Sequence, residues 1–499
     1  MTYGIVIGLL LQGHAVQDLA RLSAVPQGHI AKIVELAMGL LSQEVRPASM
    51  FAFEQSLQLA LRELGREILE VVLNSLDASP RPGRPTHVEQ AGETYRQRSE
   101  SPPCQAVSTL FGPITLQRLS YRSDTPGEPS VFPLEASLGL NQRCTPALAE
   151  RVGFHLGQAG ATQRSVLALL EREHGVSMGT GRLRDLMESL SAATAPFRRT
   201  AQAGRICELL TQAFAQKGRR RPTLAVGRDG ITVGNQPHGV FEVASCATVS
   251  VYDRRGRRLG TVSLGFAPQL GQQTMTDELP GLLREILGHW TGLLPQLAYI
   301  TDAGGNEESF YTRRLCHMRH PVSRQHLKWQ RIVDYYHAAQ RLTTIAAALN
   351  LEEAAAQSWT RRMRKLLKGD NGVFRVLHSA AAMRQCHGIK NKTQAAAYET
   401  ACSYLRRRSQ WMQYAHYRTR GLPIGSGVTE ACCKTLFTQR VKLSGMRWKR
   451  HGLQIVLNLR MLVLSGVWNK VYAQALEEPQ VQPIRVRTMV SRKTLQKAA

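Results

Sequence analysis

The stretch from residue 224 to 301 constrains the fold of this chain more than any other. Apolar and β-branched residues dominate three successive runs, 224–228, 240–252 and 259–266, separated by turns bearing glycine such as Arg255-Gly256. Such runs read as strands, and their hairpin spacing makes them antiparallel. The following segment, 275–294, carries helical periodicity, and 296–301 returns to a short apolar strand that stops at Asp302. A strand reached through a helix arrives by a crossover, so the predicted class is α/β with a mixed sheet.

Two acids stand where strands are predicted to end, each followed by a small residue: Asp229 in GRDG and Asp302 in TDAGG. An Asp beside a Gly is an ordinary turn signal, so either alone says little. Together they say more, because carboxylates at strand ends converge on one side of a sheet, and hard divalent cations such as Mg²⁺ take oxygen ligands of this kind. Glu242, Asp253, Asp277, Glu278, Glu307 and Glu308 compete for notice; Asp253 has a hairpin turn to explain it, and Asp277 and Glu278 a helix start.

A third acid lies in PIGSGVTEACCKTLFTQRVKLSGMRW, residues 423–448. Ser426 suits the N-cap of a helix whose first turn holds Glu430. A first-turn Glu complements the helix dipole, which is the plainer account. Yet Glu430 falls four residues after Ser426, so it is not the glutamate of a capping box built on that serine. Around it gather Arg440, Lys442, Arg447, Trp448, Lys449 and Arg450, a density expected of a surface that holds a polyanion. Asp334 and His337 sit at i and i+3 in VDYYHAAQRL and share one helical face, an arrangement that a local polar pair also explains.

Charge points the same way. The 499 residues carry 64 Lys and Arg against 37 Asp and Glu, a formal charge of +27, which implies a nucleic-acid partner. No apolar run reaches the roughly 18 to 20 residues of a membrane span, and 5–11 lacks the flanks of a signal peptide, so a cytoplasmic, nucleoid-associated protein is expected. Nine cysteines stand at scattered positions without a C-x-x-C pair, which argues for reduced thiols and against a structural zinc site.

Elsewhere helices predominate. Residues 14–22 and 28–42 read as two helices around a turn at 24–27, and 51–78 as a long amphipathic helix. Residues 79–103 read as a Pro-, Arg- and Gly-rich linker, and 108–122 as a hairpin whose apolar pairs fall out of phase at Gln117 and Arg118, marking a bulge or an early strand end. Three helices follow at 146–156, 162–174 and 182–190, the last two resembling a helix-turn-helix with Arg182 and Arg184 on its second helix. Residues 338–424 are helical, with fifteen Lys or Arg against four acids, as expected of an inserted domain that holds DNA; Trp359 and Trp411 suit either base stacking or a core. Residues 453–472 form a dense apolar helix that would cover the sheet, and the basic tail reads as mobile.

With TLFGPITLQRLSYR, GRDG, TDAGG, VDYYHAAQRL and the GSGVTE…KLSGMRW stretch in view, the chain from about 108 to 472 resembles the bacterial insertion-sequence DDE transposases related to the Mutator-like group. The resemblance implies an RNase H-like catalytic core whose three metal-binding catalytic acids are Asp229, Asp302 and Glu430, with Asp334 and His337 as the auxiliary D-x-x-H pair. It implies two Mg²⁺ or Mn²⁺ ions, an all-helical insertion between the second and third acids, and strand cleavage and transfer at the ends of an element. The expected partners are double-stranded DNA, both terminal inverted repeats and target, and further copies of the chain. A catalytically silent DNA-binding regulator and an RNase H-like nuclease are the alternatives. The cysteine-rich module that related proteins carry ahead of the TLFG hairpin is lacking, so end recognition is expected to rest on the helical modules. The predicted organisation is a helical region over 1–80, a linker, hairpin and helix-turn-helix-like DNA-binding module over 81–200, the core over 201–337 and 423–475, the insertion over 338–422 and the tail over 476–499.

Overall fold

The computed structural model describes residues 16–77, 86–90, 92–97, 103–234, 241–478 and 485–487. The signal-peptide reading of 5–11 and most of the basic tail fall outside them, as do parts of the 79–103 linker. The chain divides into two compact units, one holding 1–156, 162–193 and 472–499, the other 157–161 and 194–471.

The first unit opens with α1 (Val16–Leu41) and α2 (Pro47–Asp77), packed as a helical hairpin. The expected turn at 24–27 is absent: α1 runs straight through Pro26. A mid-helix proline costs about 3 kcal/mol, so packing along α2 has to outweigh it, and the two helices expected here are one. Two short strands, β1 (His87–Gln90) and β2 (Glu93–Gln97), lie within the segment expected to be a linker. The hairpin is β3 (Cys104–Thr109) with β4 (Gly112–Gln117), and β4 ends early, at the residue where the apolar phase shifts. The second apolar pair belongs to a different sheet: β5 (Tyr121–Ser123) pairs with β2, and β1 pairs with β11 (Arg485–Arg487). Short α3 (Pro133–Ser137) is followed by α4 (Pro146–Gly157), α5 (Gln163–His174) and α6 (Thr180–Ala215). Thr162 caps α5 in a reciprocal bond with Ser165. Helix α6 does not stop near 190 but continues through Pro196 into the second unit. Arg182, expected as a DNA contact, spends its guanidinium on the carbonyls of Gln142 and Arg143, each at 2.7 Å.

The second unit is built on a five-stranded mixed sheet. Its strands are β6 (Thr223–Gly234), β7 (Phe241–Tyr252), β8 (Arg258–Phe266), β9 (Gln296–Thr301) and β10 (Trp329–Val333), in spatial order β10-β9-β6-β7-β8. The first three form the predicted antiparallel meander, and β9 and β10 add in parallel on the other side of β6. The crossover helix α7 (Gln273–His289) ends five residues before the predicted limit, with Trp290 in extended conformation. Between β9 and β10 lies α8 (Gly305–Arg313).

Beyond β10 come α9 (Tyr335–Ala348), α10 (Glu353–Leu367), α11 (Gly372–His387), α12 (Lys392–Arg408) and α13 (Tyr414–Arg420), the predicted helical insertion. Their buried face forms a core continuous with the β9–β10 side of the sheet. Trp359 belongs to that core at 1% exposure and hydrogen-bonds Ser379, so it stacks on no base. Helices α14 (Gly427–Cys433) and α15 (Gln439–Val441) are joined by a π-helical stretch, Lys434–Thr438. The predicted apolar helix over 453–472 is two, α16 (Arg450–Leu464) and α17 (Trp468–Glu477), broken at Gly466 with a positive φ of 67°. Helix α16 covers β8, as expected of a lid on the sheet. Among the described residues no helix is long and apolar enough to cross a membrane.

Candidate active site

Three neighbouring strands each deliver an aspartate at one level. The parallel register of β6 with β9 ends at Gly227 opposite Ile300, and Asp229 and Asp302 each lie two residues further on. The register of β9 with β10 ends at Thr301 opposite Val333, one residue before Asp302 and Asp334. The Asp334 N–H continues that ladder, donating to the Thr301 carbonyl at 2.8 Å. Asp302 follows its strand as expected. Asp229 does not end one: β6 runs on to Gly234 paired with β7, and Asp229 faces Cys246 across that ladder. It is exposed to the site because β9 stops short, not because β6 does.

Glu430 arrives from the other side, on α14. That helix approaches β6 and β7 closely because Gly227 has no side chain: a Cβ there would stand 1.9 Å from Thr429 Oγ1. Thr429 hydrogen-bonds Thr248 on β7 at 2.8 Å, Cys432 meets Cys246 at 3.4 Å, and Cys433 donates its S–H to Asp229 Oδ2 at 3.6 Å. Ser426 occupies the N-cap position, as its sequence suggested, yet its hydroxyl caps nothing. It lies 2.6 Å from Asp334 Oδ2 and 3.1 Å from Glu430 Oε1, so one proton serves two carboxylates.

The loop of Asp302 is held in an uncommon shape. Asp302 Oδ1 accepts from the Gly304 N–H, and Ala303 has a positive φ of 63°, a conformation that costs energy for a residue with a Cβ. Gly304 leaves room for the Glu307 carboxylate, which would lie 2.5 Å from a Cβ there. From the insertion, Tyr404 donates to the Asp302 carbonyl at 2.8 Å and Arg408 to that of Ala303 at 3.2 Å. Helix α12 thus pins the loop of the second acid, a task for the insertion that its sequence did not suggest.

His337 links two of these acids, Asp334 and Glu430. Its Nδ1 lies 2.8 Å from Asp334 Oδ2 and 3.8 Å from Glu430 Oε1. The hydrogen bond to Asp334 holds the imidazole above its usual range against the opposing effect of burial, and the charges of Asp302 and Glu430 push the same way. Burial tends to raise Asp334, but hydrogen bonds from His337, Ser426 and the Tyr336 N–H outweigh it and leave the carboxyl lowered. Asp229 is raised, first by burial and then by the charge of Asp302. Among the described residues, Asp334, His337 and Glu430 form a group whose ligand atoms lie within 4.8 Å of one another.

Hydrogen bonding separates two kinds of acid here. Asp334 is wholly buried, and its oxygens already serve His337, Ser426 and the Tyr336 N–H that it caps. It orients His337 and has little left for a cation. Asp229, Asp302 and Glu430 are half-buried carboxylates, the donor type that suits a hard divalent ion, but among the described residues Asp229 and Asp302 do not join the group of ligand atoms within 4.8 Å that Asp334, His337 and Glu430 form.

Glu307 went unassigned in the sequence. It is 7% exposed, its carboxyl is raised first by burial, and it senses the charges of Asp302 and Asp229. The signal was its place three residues after Gly304 in the first turn of α8, easily read as a helix-dipole residue. Opposite it stands Arg228, buried beneath the site, bound to Gln272 Oε1 at 2.8 Å and stacked on Phe310.

Of the cations expected to line a polyanion surface, some reach solvent and one does not. Lys442, Arg447, Lys449 and Arg450 are exposed, although Arg450 is paired with Glu242. Arg440 is not part of it: it is 1% exposed, lies beneath the Trp448 ring, and burial lowers its pKa to about 10. Trp448 is half-buried and its indole N–H donates to the Val441 carbonyl at 2.9 Å, so it folds back on this turn. Nearby Arg460 is also buried, bound to the carbonyls of Thr435, Leu436, Gly157 and Gln158. It accepts the role of cap for carbonyls around the π-helical turn. No protein-family model matches the chain, and no curated protein matches it either.

Proposed function

We propose that this chain is a DDE-type DNA transposase of the Mutator-related insertion-sequence group, with an RNase H-like core, that binds the ends of its element and catalyses strand cleavage and strand transfer. The observation that carries the reading is the placing of Asp229, Asp302 and Asp334 at one level of three neighbouring parallel strands, with His337 and Glu430 beside Asp334. Strand order β10-β9-β6-β7-β8, with a meander on one side and crossover strands on the other, supports an RNase H-like core. The helical insertion between Asp302 and Glu430, the motifs quoted above and the charge of +27 support a polynucleotide substrate.

In this reading Asp229, Asp302 and Glu430 hold divalent cations, Mg²⁺ or Mn²⁺. Ions bound there would supply the activation of a water or 3′-hydroxyl and the stabilisation of a leaving 3′-oxygen that an in-line displacement at phosphorus needs. The protein's own part is positional. Asp334 fixes the His337 tautomer through Nδ1, which leaves Nε2 as the nitrogen free to meet a phosphate oxygen or move a proton. Ser426 ties Glu430 to that pair, and Tyr404 and Arg408 hold the backbone of Asp302. Lys442, Arg447 and Lys449 neutralise phosphates of the bound duplex, so affinity falls steeply with salt.

The test is Mg²⁺-dependent cleavage of a duplex carrying the element end by wild-type protein and Asp302→Asn. The variant is expected to lose at least about a thousandfold in rate and to keep its DNA affinity. Equal cleavage by both proteins would remove Asp302 from the chemistry.

A further inference from the structure

Between α9 and α10 of the insertion lies a groove of about 1010 Å³ whose lining includes the residue before His337. That residue is Tyr336, which directly follows the Tyr335 that starts α9. Tyr336 is 62% exposed, yet its ring is seated: a Cβ on Gly425 would lie 2.8 Å from Tyr336 Cε2 and 3.0 Å from Cδ2, so the loop leading to Glu430 packs against one edge of the ring. The α9 side of the groove continues as a strip of small residues, Ala339, Thr343 and Ala346. The α10 side is cationic. Arg361, Arg364, Lys365 and Lys368 stand at i, i+3, i+4 and i+7, which puts them on one helical face, and all four line the groove.

None of these four cations pairs with a carboxylate among the described residues; Lys368 instead caps the ring of Tyr335 at 4.5 Å. The one acid of the lining is Glu353, which is engaged by Gln357. A groove with an aromatic platform, a narrow strip of small side chains and four uncompensated cations on the facing wall fits a flexible anionic chain with flat faces. At this volume it is too small for a duplex.

Resting on the reading of the site as one that acts on DNA, we propose that this groove takes unpaired nucleotides of the strand next to the scissile phosphate. The first base stacks on Tyr336, the next lie along the alanine strip, and their phosphates meet Arg361, Arg364, Lys365 and Lys368. Stacking on an aromatic platform beside a basic track is a sequence-tolerant way to hold a single strand, and it would keep the strand melted where Asp302 and Glu430 must reach it.

The experiment uses the full-length chain in EDTA, so that binding is read without turnover. Affinities for a ten-nucleotide oligothymidine and for a blunt duplex are measured by fluorescence anisotropy, and stacking by quenching of a 2-aminopurine placed in the oligonucleotide. The double change Arg364→Glu with Lys365→Glu is expected to weaken single-strand binding by at least about tenfold while changing duplex binding less than about twofold. Tyr336→Ala should abolish the 2-aminopurine quenching and Tyr336→Phe should retain it. Equal weakening of both DNA forms, no weakening of either, or quenching that survives Tyr336→Ala would overturn the proposal. Cleavage of element ends is measured separately: wild-type protein that binds single strands in the groove but never cuts would refute the transposase reading and leave the groove standing.

Discussion

Replacing Gly227 by Ala tests how the third acid is placed. The added methyl carbon would stand 1.9 Å from Thr429 Oγ1, where an ordinary contact needs about 3.4 Å, so α14 must lift by roughly 1.5 Å or the strand must give way. Glu430 is the next residue on that rigid turn and moves with it. A misplacement of about 1 Å at a reacting centre costs on the order of a hundredfold in rate, so Gly227→Ala should lose at least that much cleavage activity. Stability should fall by about 1 to 3 kcal/mol from overpacking, with about 1 kcal/mol more if the Thr248–Thr429 hydrogen bond breaks. The structure also names the remedy. Thr429→Ala removes the atom at 1.9 Å and leaves Thr429 Cβ at 3.1 Å, so the residual overlap is roughly 0.3 Å. Alone it should cost stability modestly; combined with Gly227→Ala it should restore most of the activity, a positive coupling that single effects do not add up to. Thermal melts and single-turnover cleavage on the four proteins complete the cycle. A fully active, fully stable Gly227→Ala protein would show that α14 does not rest on β6 as described.

Three further outcomes follow from the same geometry. The Asp334–His337 pair should stabilise the fold in a window of pH: its histidine contribution is complete below about pH 6.5 and fades as pH rises through the raised folded pKa, and its aspartate contribution is present above about pH 4 and fades as pH falls through the lowered one. The melting temperature of His337→Gln relative to wild type should therefore differ most between those limits, and a difference that keeps growing above pH 8 would be inconsistent with the pair. Arg440→Met should leave both DNA affinity and stability nearly unchanged, since a buried cation with no carboxylate partner among the described residues is exchanged for an apolar side chain that can still pack on Trp448. Arg460→Met should instead lose about 3 kcal/mol or more by stranding buried carbonyls. Arg447→Ala should weaken duplex binding and lower the salt slope by about one; unchanged affinity would take Arg447 off the interface.

Much of this was legible in the chain because local rules dominate there. Alternating β-branched residues gave three antiparallel strands and the crossover strand, and the acids at 229, 302 and 430 stood out against a basic sequence. What local rules miss is long-range compensation. Pro26 and Pro196 signal breaks, but tertiary packing carries α1 and α6 through both. Asp229 signals a strand end, whereas pairing with β7 carries the strand past it. Ser426 is a cap by position, but its hydroxyl finds stronger acceptors 92 and four residues away. Arg440 reads as surface because arginine usually is; only the fold places it under Trp448. Glu307 and the clamp from Tyr404 and Arg408 depend on which loop meets which helix, which no spacing reveals.

The most direct test of the central claim is anomalous diffraction from crystals of the full-length chain with a duplex end and Mn²⁺. The account predicts anomalous density at about 2.0 to 2.4 Å from carboxylate oxygens of Asp229, Asp302 and Glu430, with Asp334 still bonded to His337 and Ser426. Density held by Asp334 and His337 while Asp229 and Asp302 stand free, or none at all with DNA in place, would contradict it.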